Sequence, residues 1–292
     1  MTPRETSLTP DLLSRVRPGV AVAVAVNAAT GIRRRRPTGY RLYGARSELS
    51  PEGRGRGPAP RITDVGSVAI VEIRGAMEQR ESSWECGETC GYDGIERDVC
   101  AALTDPGVAA LVIDADTPGG DEPGLVETGD RIRAVADAMG KPVLGYSPAF
   151  LASAGVYLLL AICDATYIHA TARAGSVSSV VLFSTDARRL AKEGTDVYVA
   201  RGLPGKMNPN SLEPLDDLGK ARLDEHALAC SEEFVLFVAA KRGLDPAAVR
   251  AWNAGLFRGQ AAVDVGLVDG LGTLDTVIAL AGSLAGLQEA AA

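Results

Sequence analysis

Ser153 stands between a glycine-rich turn and a lysine, and the three together contain the parts of a serine hydrolase. The turn is Thr117-Pro-Gly-Gly120, upstream of the serine, and the lysine is Lys206, downstream of it. A serine hydroxyl becomes an effective nucleophile when a base takes its proton and amide N–H groups stabilise the oxyanion that forms. These residue types therefore suggest a nucleophile, an oxyanion hole and a base.

Ser153 precedes an apolar run, Val156 to Ile162, which is long enough for about two helical turns. The first N–H groups of a helix are unpaired and carry a partial positive charge, so the Ala154 amide is the predicted direct donor to an oxyanion. Serine is also a preferred N-cap residue, and the local sequence alone favours that plain capping role.

The segment upstream of the glycines predicts a strand, turn and helix. Val108 to Asp114 is typical of a buried parallel strand, and an amphipathic helix is predicted near Leu125 to Met139. Glycines at the carboxyl end of such a strand let backbone N–H groups face a ligand, so Gly119 and Gly120 are predicted as further oxyanion donors. Taken by itself, a Pro-Gly-Gly turn is more often a simple connection.

Several ordered segments resemble the protease IV and signal peptide peptidase A family of serine peptidases, over a stretch from about Gly66 to Ala281. The segments are Leu111 to Gly120, Ala152 to Gly155, Ala174 to Val177 and Gly255 to Asp269. Tyr92-Asp-Gly-Ile95 is similar to the phage-head (prohead) proteases within that family. The resemblance implies an α/β, ClpP/crotonase-like fold, a ββα superhelix with repeated strand-turn-helix units. It also implies peptide hydrolysis by a Ser-Lys dyad in place of a Ser-His-Asp triad.

The resemblance places the lysine base in a segment that follows a strand. Asp196 to Ala200 has the composition of that strand and leads to Lys206, which is therefore the predicted base. Lys192 and Lys220 are rival candidates in helical stretches, where a solvated lysine is expected. The resemblance also implies that Ser176 supports the dyad by a hydrogen bond to the neutral amine.

A lysine acts as a base near neutral pH when its charged form is disfavoured, which burial in an apolar pocket achieves. We therefore expect Lys206 to be buried. The chain has two histidines, and neither is well placed for a triad. His169 ends a predicted strand soon after Ser153, and His226 falls within a predicted helix from Leu223 to Arg242.

Composition is typical of an α/β enzyme with one catalytic domain, with 292 residues of which 46% are hydrophobic. A net charge of −7 argues against a nucleic-acid partner. Cys86 and Cys90 do not have the spacing of a structural zinc pair, so no metal and no other cofactor is predicted. An odd number of cysteines, five, without an export signal predicts a reducing, cytoplasmic location.

Residues 1–62 are predicted to be a flexible N-terminal extension, 63–285 the peptidase domain and 286–292 a C-terminal tail. The apolar stretch from Val20 to Val26 is far short of the ~20 residues that a membrane span requires, so no span is expected. The first residues also do not have the pattern of a signal peptide. The expected substrate is a peptide or protein, and the resemblance implies a homo-oligomer, with the number of subunits left open.

Two other functions remain open. The same fold serves acyl-CoA hydratases and isomerases, in which a carboxylate such as Asp121 or Glu122 would be the base; the serine and the lysine would then have no role. A catalytically inactive structural ring protein is favoured by Pro204-Gly205 before Lys206 and by Ser178-Ser179, where the family usually has glycine. Leftover signal peptides, a phage scaffold or portal-associated protein, and misfolded cytoplasmic protein all remain possible substrates.

Overall fold

A computed structural model of the chain describes residues 22–24, 41–43, 67–80 and 89–289. The predicted N-terminal extension lies outside the described residues, except for two short strands. The helices are α1 (Tyr92–Thr104), α2 (Leu125–Met139), α3 (Ala154–Ile162), α4 (Ala187–Lys192), α5 (Asp217–Arg242), α6 (Pro246–Ala251), α7 (Gln260–Asp264) and α8 (Leu274–Glu289). The strands are β1 (Val22–Val24), β2 (Arg41–Tyr43), β3 (Ser67–Arg74), β4 (Ala76–Glu78), β5 (Thr89–Gly91), β6 (Val108–Asp116), β7 (Gly119–Asp121), β8 (Val143–Ser147), β9 (Phe150–Ala152), β10 (Ala165–Ile168), β11 (Arg173–Gly175), β12 (Leu256–Arg258) and β13 (Gly270–Leu271).

The described residues form two compact units. The larger unit draws on residues 23–178 and 233–289 and contains nearly all of the sheet structure. The smaller unit contains residues 179–232 together with Val22. Helix α5 contributes its first part, up to Glu232, to the smaller unit and its second part to the larger one.

The larger unit is built on a six-stranded sheet with the order β13-β10-β8-β6-β3-β2. Its strand pairs are parallel except for β2, which runs antiparallel to β3. Strand β6 is buried along almost its whole length, because helices cover both faces of the sheet. This explains its nearly continuous apolar sequence, which is typical of parallel strands in α/β proteins.

Alternating residues of β6 serve two separate cores. Leu111 and Ile113 point to the face covered by α1, α2 and α3, whereas Ala110 and Val112 point to the face covered by α8. Side chains on a strand alternate between faces, so one apolar run supplies both layers. The predicted α/β class with successive strand-turn-helix units is confirmed.

Two smaller sheets lie at the edge of this layer. In one, β4 lies between β5 and β7. In the other, β11 lies between β9, to which it is parallel, and β12, to which it is antiparallel. The second sheet carries the segments around Ser153 and Ser176.

The predicted strand over Asp196 to Ala200 is wrong. These residues have no regular secondary structure, and Tyr198 is 91% exposed. Strand propensity reflects packing against neighbouring strands, which this segment lacks among the described residues. Helix α5 also begins earlier than predicted, at Asp217. None of the described helices is both long enough and apolar enough to cross a lipid bilayer.

Candidate active site

Ser153 occupies a sharp turn between β9 and α3 in a conformation that L-amino acids rarely adopt. Its φ is 52° and its ψ is −125°, and only 1% of the residue is exposed. Gly259 has nearly the same backbone angles, 51° and −120°, in the turn between β12 and α7. A residue with a side chain in such a conformation costs about 1–3 kcal/mol, and such strain clusters at functional sites. Strained strand-to-helix turns present the nucleophilic serine in some hydrolases.

The strand before Ser153 is held on both sides. On one side, the Thr117 N–H donates to the Phe150 carbonyl at 2.8 Å, and the Ala152 N–H donates to the Thr117 carbonyl at 3.1 Å. On the other side, β9 pairs with β11, and the Ser153 N–H donates to the Gly175 carbonyl at 2.9 Å. These bonds bring the glycine-rich turn, the serine and the Gly175-Ser176 segment together.

Glycine is required at Gly155 and Gly175 by close packing. A Cβ atom at Gly155 would lie 2.5 Å from the Thr117 Cγ2 atom, so helix α3 approaches Thr117 only with glycine there. A Cβ atom at Gly175 would lie 2.1 Å from the Gly255 carbonyl oxygen. The Ser-Ala-Gly and Ala-Gly-Ser motifs therefore reflect a backbone crowded around Ser153.

The predicted oxyanion donors differ in their present partners. The Gly119 N–H, with φ at 104°, donates to the Thr117 hydroxyl at 3.1 Å. Gly120 is a close-approach position, since a Cβ atom there would lie 2.0 Å from the Met77 carbonyl oxygen. The Ala154 amide is the first of a nine-residue helix and has no acceptor within that helix. Ala154 is thus the donor whose geometry follows most directly from the fold.

The hydroxyl of Ser153 does not cap helix α3. The Ser153 Oγ atom is buried and has no hydrogen-bond partner within the described part of the chain. A buried hydroxyl without a partner costs about 1–3 kcal/mol relative to a satisfied one. The plain capping role that local sequence favours is therefore not what the structure shows.

Ser176 lies directly after the carbonyl that holds the Ser153 amide. It has a positive φ of 58°, is half-buried, and its N–H donates to the Gly255 carbonyl at 3.0 Å.

Thr117 also helps to hold the turn at Ser153, a role that the sequence analysis does not assign to it. Its backbone pairs with β9, its hydroxyl holds the Gly119 amide, and its methyl group contacts helix α3.

Lys206 belongs to the smaller unit and is exposed to solvent, in contrast to the predicted burial. Its neighbours in sequence include two exposed apolar side chains, Leu203 at 74% and Met207 at 54%. The rival lysines lie on helix surfaces as predicted: Lys192 ends α4, and Lys220 on α5 pairs with Asp217 at 3.2 Å.

The two histidines make local contacts. His169 Nδ1 lies 2.8 Å from the Thr171 hydroxyl oxygen. His226 is exposed on α5, and its Nδ1 atom lies 3.6 Å from the Cys230 sulfur. The prediction that neither is catalytic stays a prediction.

Asp121 follows the glycine turn and is electrostatically unusual. Burial raises the pKa of Asp121 to about 6, and the negative charge of Glu78 adds to the increase. The Tyr92 hydroxyl donates to the Asp121 carbonyl oxygen at 2.6 Å, which ties this strand to α1.

Comparison with known families identifies the chain. The model of peptidase family S49 matches residues 136–288, more than half of the chain. The chain belongs to peptidase family S49. The matched region contains Ser153, Ser176 and Lys206, whereas Gly119 and Gly120 precede it. The family resemblance predicted from the sequence motifs is confirmed.

Two phage proteins are similar to this member of family S49. Capsid assembly protease C of Escherichia phage lambda is 30% identical over 209 residues, covering 71% of this chain and 47% of the phage protein. Head-tail preconnector protein GP5 of Enterobacteria phage P21 is 28% identical over 219 residues, covering 74% of this chain and 43% of that protein. The chain thus spans less than half the length of either relative. Both relatives agree with the predicted similarity to the phage branch.

Among solved structures, a ClpP1 mutant from Listeria monocytogenes is similar with a TM-score of 0.41 and 15% sequence identity. The similarity covers 70% of this chain and 92% of that protein.

The strained turn predicts that Ser153→Gly is more stable than Ser153→Ala. Both variants remove the buried hydroxyl, but only glycine relieves the positive φ, and its greater freedom in the unfolded chain offsets part of that gain. We expect a difference of about 1 kcal/mol in the free energy of unfolding, measured by urea denaturation. A glycine variant that is no more stable than the alanine variant would contradict this prediction.

The raised pKa of Asp121 predicts a pH-dependent contribution to stability. The folded chain binds this proton more tightly than the unfolded chain, so the contribution is complete below about pH 3.8 and is lost as the pH rises through about 6. Asp121→Asn removes the titrating group. The melting temperature of the variant relative to wild type should therefore increase between pH 4 and 7, as scanning calorimetry would show; a pH-independent difference would contradict the assignment.

Proposed function

We propose that the chain is a serine endopeptidase that hydrolyses peptide bonds through a Ser153–Lys206 dyad and an acyl-enzyme. Lys206 takes the proton of the Ser153 hydroxyl, and the Ser153 oxygen attacks the scissile carbonyl carbon. When the tetrahedral intermediate collapses, the amine of the leaving peptide receives that proton. Water then attacks the ester, with Lys206 again as base, and releases the second product.

The observation that supports this proposal most strongly is the conformation and burial of Ser153. Its backbone is strained, its hydroxyl is buried without a partner among the described residues, and it stands at the start of a helix. The strained backbone and the unpartnered hydroxyl both cost stability, and a structural serine needs neither. The family membership supports the same role.

The proposed oxyanion hole consists of the Ala154, Gly119 and Gly120 amides. Ala154 supplies a helix N-terminal N–H, which acts in a water-poor environment where such donors are strongest. For Gly119 to take part, its N–H must exchange the Thr117 hydroxyl for the oxyanion. Ser176 is proposed to form a hydrogen bond with the amine of Lys206.

The base requires an apolar environment that the described residues of one chain do not supply. Lys206 is exposed, and a neutral amine at neutral pH needs desolvation. The exposed Leu203 and Met207 beside it provide apolar surface that becomes a pocket wall when covered. We propose that this cover comes from self-association into a homo-oligomer, as the family resemblance implies; one relative is named as a head-tail preconnector protein.

The proposed substrate is a protein, and capsid maturation is favoured over signal peptide removal. The support is that one relative is named as a capsid assembly protease. The proposed peptidase domain is 63–285, and the proposed location is the cytoplasm, which the odd cysteine count favours.

The test is hydrolysis of casein or a fluorogenic peptide by wild type, Ser153→Ala and Lys206→Ala, with Lys192→Ala and Lys220→Ala as matched controls. Loss of the nucleophile or base should reduce kcat by about 1,000-fold or more, because members of a catalytic unit fail together.

Three outcomes would change the proposal. Activity that survives Lys206→Ala but falls in one of the control variants moves the base to that lysine. Activity that survives Ser153→Ala shows that Ser153 is not the nucleophile, and the proposed dyad is then wrong. An inactive wild type, tested as an assembled oligomer, favours the structural ring protein.

A further inference from the structure

The loop that carries Lys206 is held by side chains along consecutive backbone carbonyls. Arg222 on α5 donates through Nη1 to the Gly205 carbonyl at 2.6 Å and to the Asn208 carbonyl at 2.9 Å. Arg201 donates through Nε to the Lys206 carbonyl at 2.7 Å. The carbonyls of Gly205, Lys206 and Asn208 therefore each accept a hydrogen bond from an arginine side chain.

The Met207 carbonyl receives the remaining donors. Asn210 Nδ2 donates to it at 2.9 Å, and Arg201 Nη2 approaches it at 3.4 Å. Glu213 completes the set, because it pairs with Arg201 and accepts from Asn210 Nδ2 at 2.6 Å. The hydrogen bond from Arg201 lowers the pKa of Glu213, so this carboxylate stays charged at neutral pH.

Gly205 makes room for this arrangement. A Cβ atom at Gly205 would lie 2.1 Å from Arg222 Nη2 and 2.9 Å from its Cζ atom. The three nearest atoms to that Cβ position all belong to the Arg222 guanidinium, so a larger residue at position 205 would displace this side chain. Glycine at position 205 therefore accommodates the Arg222 guanidinium beside the Lys206 loop.

An exposed loop does not need side-chain donors for its backbone carbonyl groups. Water satisfies the carbonyls of solvent-facing loops, and ordering a long arginine side chain costs conformational entropy. Here two arginines are ordered around the backbone of one exposed lysine. Catalytic groups, in contrast, must be held within about 0.5 Å of their productive position by supporting hydrogen bonds.

We propose that Arg201 and Arg222 are positioning residues that fix the backbone of Lys206 for proton transfer from Ser153. Asn210 and Glu213 hold Arg201 in this role. This inference rests on the proposed function, since it assigns a purpose to the loop only if Lys206 is the base.

The experiment compares Arg222→Lys, Arg222→Ala and Gly205→Ala with a control, Arg189→Ala, in the full-length protein. Arg189 is a surface arginine of α4 that pairs with Asp186 and Glu193, and neither partner belongs to the 203–210 loop. Hydrogen exchange of peptides covering 203–210 and the steady-state kcat and KM are measured on each variant. Thermal melting shows that each variant is folded, and Arg222→Lys retains the charge if the alanine variant does not fold.

The proposal predicts faster exchange over 203–210 and a kcat lower by about 10- to 100-fold in the loop variants, with KM nearly unchanged. Gly205→Ala acts by displacing Arg222, so the double variant Gly205→Ala/Arg222→Ala should be no worse than Arg222→Ala. The control should match wild type in both measurements.

Two results overturn the proposal and are distinguishable. Faster exchange with unchanged kcat, or unchanged exchange and kcat together, shows that the arginines do not position the base, while the dyad stands if Ser153→Ala and Lys206→Ala are inactive. Full activity of Lys206→Ala overturns the proposed function itself, and the positioning role fails with it.

Discussion

The backbone at Ser153 is the constraint on which the site depends. A positive φ at a residue with a side chain persists when surrounding contacts determine it, and here the contacts come from both neighbours of β9. Thr117 fixes one edge and Gly175 the other. If either edge shifted, the chain would relax towards ordinary backbone angles and the Ser153 hydroxyl would change position.

The small residues around Ser153 follow from that constraint. Gly155 lets α3 approach Thr117, and Gly175 lets β11 approach the segment before β12. Gly259 has nearly the same backbone angles as Ser153, and a Cβ atom there would lie 2.3 Å from the Ala170 carbonyl oxygen. Close packing therefore requires glycine at that second turn.

The sequence predicts elements best where one local pattern determines them. Helix α2 was predicted with the bounds observed, and β6 within two residues, because an apolar run and an amphipathic period are visible in the residues themselves. The strand over Asp196 to Ala200 was predicted wrongly, because a strand depends on partners that its own sequence does not reveal.

The same distinction applies to the site. The order of motifs predicts Ser153 as the nucleophile, but it does not reveal the strained φ of this residue, which depends on pairing between distant segments. The role of Thr117 and the contacts of Arg222 with Gly205 were not predictable for the same reason, since each joins residues that are remote in sequence. The exposure of Lys206 could not be anticipated from the apolar residues beside it.

The most direct measurement of the central claim is covalent labelling of the purified protein with a fluorophosphonate, followed by mass spectrometry of its peptides. The account predicts one adduct per reactive chain, on Ser153, and none after Lys206→Ala, because the hydroxyl then lacks its base. An adduct on another serine, or none in an assembled and folded wild type, would contradict the assignment of Ser153 as the nucleophile.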